Sequence, residues 1–401
     1  MGSIGGTIVT VNTGSSSIKL AVFAMNEHTL DELYTASISN IGQSVALLEI
    51  TRPTHSAQTE EVSAMSHAEA SHLIVKQLAN VIDPNSMVAI GHRLVHGGIK
   101  YTDPTLIETI TEADWDLLSR LDPGHTPAAR QIIAQFTQFY PNVPEVACFD
   151  TAFFRDMPLI AKIVPIPRKY YAEGVRRYGF HGLSYASLLA KFREKAGDTA
   201  VNGRVVLAHL GSGASLAAIQ EGKPIDTTMS FTPTSGIIMS TRSGDLDPNI
   251  FSFLHKQNGM SIDEFDRMVS SKSGLLGISQ LTGDMHALLD LEKDNNDAAM
   301  AVERFILDVR KSIGALAATL GGIDSLIFSG GIGEQSAVLR ARICEGLDYM
   351  GIGALNEDAN AKNMFLVSGE LSRVGVHVIR ADEARVIASQ VQELLTDGSR
   401  L

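Results

Sequence analysis

Cysteine is almost absent. Cys148 and Cys344 are the two in 401 residues, with no CxxC and no histidine at metal-binding spacing. A disulfide framework and a zinc module are both excluded, and a reducing, cytoplasmic setting is the simplest expectation. Positive charge is also short: Lys and Arg total 33 against 45 Asp and Glu, a net charge of −12. Nucleic-acid binding, which needs a basic face, is not expected. No apolar run reaches the roughly 18–20 residues of a membrane span, so no membrane partner is expected. Met1-Gly2-Ser3-Ile4-Gly5-Gly6 lacks the basic and apolar regions of a secretory leader. No Pro- or Ser-rich linker interrupts the chain, so its domains should be apposed rather than tethered.

What is present reads as a folded enzyme-sized protein. Hydrophobic residues make up 44% and charged residues 19%, the balance of a soluble globular chain. A length of 401 residues exceeds one ordinary core and gives two domains as the expectation. One pattern occurs twice. Ile8 to Phe23 runs apolar, turns through Asn12-Thr13-Gly14-Ser15-Ser16-Ser17, and runs apolar again past Lys19. Val205 to Ile219 does the same through His209-Leu210-Gly211-Ser212-Gly213. Each is a β-hairpin with a small-residue tip, and such tips let backbone N–H groups converge on an anion. Two of them suggest a phosphate chain gripped from both sides.

Residues 26–64 carry few strong signals. Beyond them, Ser66 caps a helix with Leu73, Ile74, Leu78, Val81 and Ile82 on one face. Val88-Ala89-Ile90 reads as a strand, Thr111 with Asp114 as a helix start, and Val146 to Phe149 as a buried strand ending on Asp150. In the second half, Ser261-Ile262-Asp263-Glu264 is a capping box. Residues 297–320 form a long helix closed by Gly321-Gly322. Asp324 to Phe328 is a strand turning into a helix over about 335–346, Val374 to Ile379 is a last strand, and Asp382 to Leu395 a last helix. Strands alternating with helices, plus the duplication, give an α/β protein of two similar lobes.

The tips are not Walker A loops, because no GxxxxGK[ST] occurs and each leads into a strand. Gly331-Ile332-Gly333 is no dinucleotide fingerprint either, since Ser336 stands at the third glycine position. Arg93 and His96, Asp150, Arg176-Arg177-Tyr178-Gly179-Phe180-His181-Gly182 and Thr241-Arg242-Ser243-Gly244-Asp245 place cations and carboxylates in Gly-rich sequence. Singly, each is more commonly a surface ion pair or cap; together they are what phosphoryl transfer needs.

These segments, with Gly91-His92-Arg93-Leu94-Val95-His96-Gly97-Gly98, Phe149-Asp150-Thr151, Phe231-Thr232-Pro233, Lys272-Ser273-Gly274 and Gly330-Gly331-Ile332-Gly333-Glu334, resemble the acetate kinase family, in the family's order and over nearly the whole chain. The resemblance implies a duplicated ribonuclease-H-like, actin-like fold of two lobes around a nucleotide cleft. The first lobe would take residues 1–150 plus about 383–401, the second 151–382. It implies reversible, in-line phosphorylation of a short-chain carboxylate by ATP, with Mg²⁺ or Mn²⁺, in a homodimer formed through the second lobe. Asn12, Asp150 and Glu383 would surround the metal. Arg93 and Arg242 would hold the carboxylate and the migrating group, and His181 would donate to that group. Gly211, Ser212 and Gly213 would hold phosphates, with Ser17, Lys19 and His209 beside them. Asp284, Gly331, Ile332, Gly333 and Glu334 would line the adenosine side. Val95, Phe180 and Pro233 would wall the acyl pocket.

The chain departs from the family pattern at several positions. Gly124 stands for Leu, Ser212 for Asn, Phe154 for His, Ile99 for Glu and His286 for Arg, and Leu183-Ser184-Tyr185 follows Gly182 where the pattern has Thr-Ser-His. Gly124 gives the expectation of a roomier pocket that accepts propionate or a larger acid. Two other classes draw on the same residues. A sugar or polyol kinase would need an Asp general base and a sugar-binding insert, neither of which is evident. An actin- or chaperone-like nucleotide-binding protein would have no use for paired Arg93 and Arg242.

Overall fold

The computed structural model describes residues 5–14, 16–26, 29–43, 45–52, 55–63 and 66–396; Ser15 of the first tip lies outside them. The chain divides into two compact units, Met1–Phe153 with Asp382–Leu401, and Phe154–Ala381. The first contains β1 (Gly6–Thr13), β2 (Ile18–Met25), β3 (Leu30–Ser39), β4 (Ala46–Thr51), β5 (Gln58–Val62), β6 (Met87–Leu94), β7 (Thr105–Leu106) and β8 (Glu145–Phe149), in the order β5-β4-β3-β2-β1-β6-β8-β7. The second contains β9 (Arg204–Leu210), β10 (Ala214–Gln220), β11 (Lys223–Thr227), β12 (Ser325–Ser329) and β13 (Gly375–Val378), in the order β11-β10-β9-β12-β13.

The smaller order repeats inside the larger one. β3-β2-β1 is an antiparallel meander, and β6 and β8 then add in parallel. β11-β10-β9 is likewise antiparallel, and β12 and β13 add in parallel. The duplication seen in the two hairpins is therefore a duplication of whole sheets. In both, the parallel strands are covered on both faces: β8 and β12 are buried at every residue, including the polar Glu145, Ser325 and Ser329.

In the first unit Val9, Val11, Ile18, Leu20 and Ile90 pack against Ile74 and Leu78 of the helix His67–Ala79 and Ile132 and Phe136 of Thr126–Phe139. Each such side chain contributes roughly 1.5–3 kcal/mol on burial. The other face takes the last helix, Glu383–Thr396, on Ile387, Val391 and Leu394. Gly91 makes that possible: a Cβ there would lie 2.5 Å from Ile387 and 2.8 Å from Val391. In the second unit the helix Asn296–Leu320 buries Val302, Phe305, Val309 and Ile313 and stops at Gly321, whose φ of 69° suits a left-handed cap.

Three expectations need correction. Residues 26–64 form β3, β4 and β5. Their signal is weak because β5, Gln58-Thr59-Glu60-Glu61-Val62, is an exposed acidic edge, the usual protection of a sheet edge. The helix placed at about 335–346 starts earlier, at Gly330, and breaks at Ser336 into Gly330–Gln335 and Ala337–Cys344. The helix capped by Ser66 ends at Ala79, so Val81 and Ile82 reach the core from the following turn.

Candidate functional site

The site residues fall into one cluster in each unit. In the first, the C-terminal ends of neighbouring strands bring Asn12 (β1), Arg93 (β6) and Asp150 (just past β8) together, and the last helix adds its first residue, Glu383. Arg93 donates from Nε and Nη2 to Asp150 Oδ2 at 3.1 and 2.6 Å, and from Nη1 to Asn12 Oδ1 at 2.9 Å. Asn12 Nδ2 in turn donates to Glu383 Oε2 at 2.5 Å. The amide orientation is fixed by these two neighbours. The Asp150 side chain is 1% exposed and that of Arg93 15%. Burial opposes the guanidinium charge, but Asp150, Glu383 and Asp122 outweigh it and hold Arg93 above its ordinary value.

Among the described residues no group of three His, Cys, Asp or Glu could hold a metal alone. The donor chemistry still fits a hard divalent cation. Asp150, Glu383 and the Asn12 amide are oxygen ligands, and two carboxylates face one guanidinium, leaving negative charge in surplus. Mg²⁺ is ordinarily held by one or two carboxylates, with water and substrate phosphates completing its shell.

Around this cluster Val95 is buried and Lys19, which faces Asn12 across the hairpin, is exposed. Ser17 closes the tip: its carbonyl accepts from Gly14 N–H at 2.8 Å. The Gly14 carbonyl lies 3.0 Å from His67 Nε2. Gly124 is exposed, and a Cβ there would meet nothing within 4 Å. Nothing in the fold therefore requires glycine at that position.

In the second unit His181 sits just before the helix Gly182–Ala196 in a left-handed conformation, φ 60° and ψ 25°. That backbone is uncommon for a residue with a side chain. Its Nδ1 lies 2.8 Å from Ser215 Oγ, and its ring stacks on His209 with centroids 4.4 Å apart. His209 Nδ1 lies 2.8 Å from Ser184 Oγ. Arg242 donates from Nη1 to the Pro233 carbonyl at 3.2 Å. His181 Nε2 and Arg242 Nη1 converge on Gly213, at 3.2 and 3.4 Å from where a Cβ would stand. The equivalent point on Gly211 is 3.7 Å from His209 Nε2 and 3.9 Å from Gly331 N. The second tip thus meets His181, His209, Arg242 and the Gly330–Gln335 turn. Gly330 has φ 77°, and a Cβ would strike the Leu210 carbonyl at 2.5 Å.

Phe180 and Pro233 are buried in this unit, whereas Val95 and Gly124 belong to the first. Ser212 is exposed, and its carbonyl accepts from Ser240 N–H at 3.2 Å. Asp284 is exposed and caps its helix, Oδ1 accepting from Ala287 N–H at 2.9 Å. Glu334 Oε1 accepts from Ser329 Oγ and Gly330 N–H, both at 3.0 Å, so it braces the loop of Gly331, Ile332 and Gly333. Arg340, fully buried, braces it from behind. Its Nη1 donates to the Gly333 and Glu334 carbonyls at 2.8 Å, and its other N–H groups reach Asn360 and Asn363. Sequence reasoning missed Arg340, Tyr185 and Ser215. Ser215 had a signal, two residues past the second tip; Arg340 reads as one more helical cation.

Comparison with known proteins resolves the family. The model of the acetokinase family matches residues 7–389. An acetate kinase of Methylocella silvestris is 39% identical over 404 residues, covering 97% of this chain and 98% of that protein. A propionate kinase of Escherichia fergusonii is 38% identical, covering 96% of each. The crystal structure of a propionate kinase from Francisella tularensis superposes with a TM-score of 0.87 at 32% identity, over 96% of this chain and 98% of that one. With a full-length family match, relatives well above 30% identity and the duplicated actin-like sheets all in agreement, the chain belongs to the acetokinase family.

Proposed function

We propose that this chain transfers the terminal phosphoryl group of ATP to the carboxylate of a short-chain acid, acetate or propionate, reversibly and in line. It is a carboxylate kinase by family, and the observation that carries the finer reading is the Arg93 cluster. A carboxylate acceptor is ionised at neutral pH, so the reaction needs no general base; its barrier is the approach of two anions. Arg93, held charged among Asp150 and Glu383, supplies fixed positive charge for one of them. Arg242 and His181, converging on the glycine tip, supply donors for the group in flight. Asn12, Asp150 and Glu383 would hold Mg²⁺ or Mn²⁺, which when bound offsets phosphate charge.

Gly211, Ser212 and Gly213, with Ser17, Lys19 and His209, bind nucleotide phosphates. Asp284, Gly331, Ile332 and Gly333 flank the adenosine, with Glu334 supporting the loop. Val95, Phe180 and Pro233 select the acid, and Gly124 leaves room for one longer than acetate. The protein works as a cytoplasmic homodimer through its second unit. Supporting this are exposed apolar residues there, among them Leu371 at 97% and Tyr349 at 74% exposure. The two cysteines are buried free thiols whose ionisation burial pushes up, which suits a reducing compartment. No helix among the described residues is long and apolar enough to cross a membrane.

The test is acyl phosphate formation with Mg-ATP, trapped with hydroxylamine, across formate, acetate, propionate, butyrate and longer acids. Product is expected, with acetate and propionate within the factor of about 200 that one methylene allows. Activity peaking at acetate removes the Gly124 argument; no product with any acid overturns the reading.

A further inference from the structure

His181 is backed by a pair of buried hydroxyls. Ser215 Oγ lies 2.8 Å from His181 Nδ1 and 2.6 Å from the Tyr185 hydroxyl. Ser215 and Tyr185 are both fully buried. Tyr185 is one turn along the helix that starts after His181, and Ser215 is on β10, so a helix and a strand fix the spacing. The Tyr185 ring stands edge-on to Phe154, centroids 6.0 Å apart and planes at 88°.

With a neutral imidazole the hydroxyl pair has two proton arrangements. Ser215 carries one proton and has two partners. If it donates to His181 Nδ1, Tyr185 donates to Ser215, and the imidazole proton sits on Nε2. If the imidazole proton sits on Nδ1, Ser215 donates to Tyr185, and Nε2 becomes an acceptor. A phenol is the more acidic hydroxyl and an imidazole nitrogen the most basic acceptor of the three. The gradient runs from Tyr185 to His181. It leaves Nε2, the atom on the Gly213 side, as an N–H donor.

We infer that Tyr185 and Ser215 form a relay that fixes His181 as the Nε2–H tautomer, so that both are positioning residues for the group that meets the transferring phosphoryl. This rests on the kinase reading for its purpose but not for its geometry.

The test is nitrogen NMR of histidine-labelled protein, without substrates, together with steady-state kinetics. In the wild type His181 should show a protonated Nε2 and an accepting Nδ1. Tyr185→Phe keeps the ring on Phe154 and removes the hydroxyl. It should mix the tautomers and lower kcat about tenfold or more while KM for both substrates holds, since one pre-placed donor to developing charge contributes about 10²–10³. Ser215→Thr should retain the wild-type spectrum and Ser215→Ala should lose it, which keeps the test available if Tyr185→Phe folds poorly. A wild-type His181 protonated on Nδ1, or variants with unchanged tautomer and kcat, overturns the relay. Absence of any kinase activity would overturn the functional reading and leave the spectrum to judge the relay alone.

Discussion

Each unit places an arginine at its cluster, Arg93 half-buried and Arg340 fully buried, and the two sit in opposite company. Arg93 lies among Asp150, Glu383 and Asp122, which hold its charge firmly. Arg340 is enclosed by neutral oxygens, those of Gly333, Glu334, Asn360 and Asn363, with no carboxylate partner among the described residues. Burial therefore pushes its guanidinium down to about 10, against a smaller opposing influence of Cys344. The same side chain in two duplicated α/β units does two jobs. One is a charge held among carboxylates; the other makes five hydrogen bonds that brace the short Gly330–Gln335 helix. Burial of an arginine says nothing of its role until its acceptors are known.

Substitution separates the two. Arg93→Ala should lower kcat by about 10³ or more, the scale of losing an arginine that faces a phosphoryl group. Arg242→Ala should match it. Near-wild-type turnover in either would dissolve the distinction between a working and a bracing arginine. Arg340→Leu should act mainly on stability, by about 3–5 kcal/mol, because five acceptors, three of them in buried hydrogen bonds, lose their donor at once. Urea unfolding measures that, and where the variant folds, KM for ATP should rise more than KM for the acid. An unchanged unfolding midpoint would mean the loop carbonyls find other donors.

The smallest effect concerns pH, and it probes the neutral interior of the second unit. His377 is buried between the rings of Phe192 and Phe365, and burial pushes its imidazole from 6.5 down to about 4. The unfolded chain takes up this proton first. Stability should thus fall as pH drops from about 6.5 to about 4 and level off below, by roughly 3 kcal/mol in all. His377→Phe should flatten that part of the profile. An identical slope in both proteins would assign the acid sensitivity elsewhere.

Much of this fold is local enough to be read along the chain. The capping boxes at Ser66, Thr111 and Ser261 are all formed, and the long helix begins one residue before its expected start. The edge strand β5 was not legible, because it trades hydrophobicity for charge. The site was legible only in part. Asn12 and Glu383 are hydrogen-bonded across 371 positions, a pairing that no spacing rule reaches and that only the family resemblance suggested. Asp284 and Glu334 have structural duties, as a cap and a loop brace, that the sequence did not distinguish from ligand contact. Arg340 was illegible because its meaning depends on Asn360 and Asn363, which arrive more than a turn of helix and a loop later.

The notch at Gly91 has a bearing on how the protein is made. It receives Ile387 and Val391, on the same helix that begins with Glu383. The first sheet therefore leaves the ribosome with one apolar face open and one carboxylate of its cluster missing, and the whole second unit is synthesised before either arrives. Such a chain carries its own delay. The cluster at Arg93 is assembled only when translation is nearly over, so a nascent or truncated product has both sheets encoded and an Arg93 cluster still without Glu383.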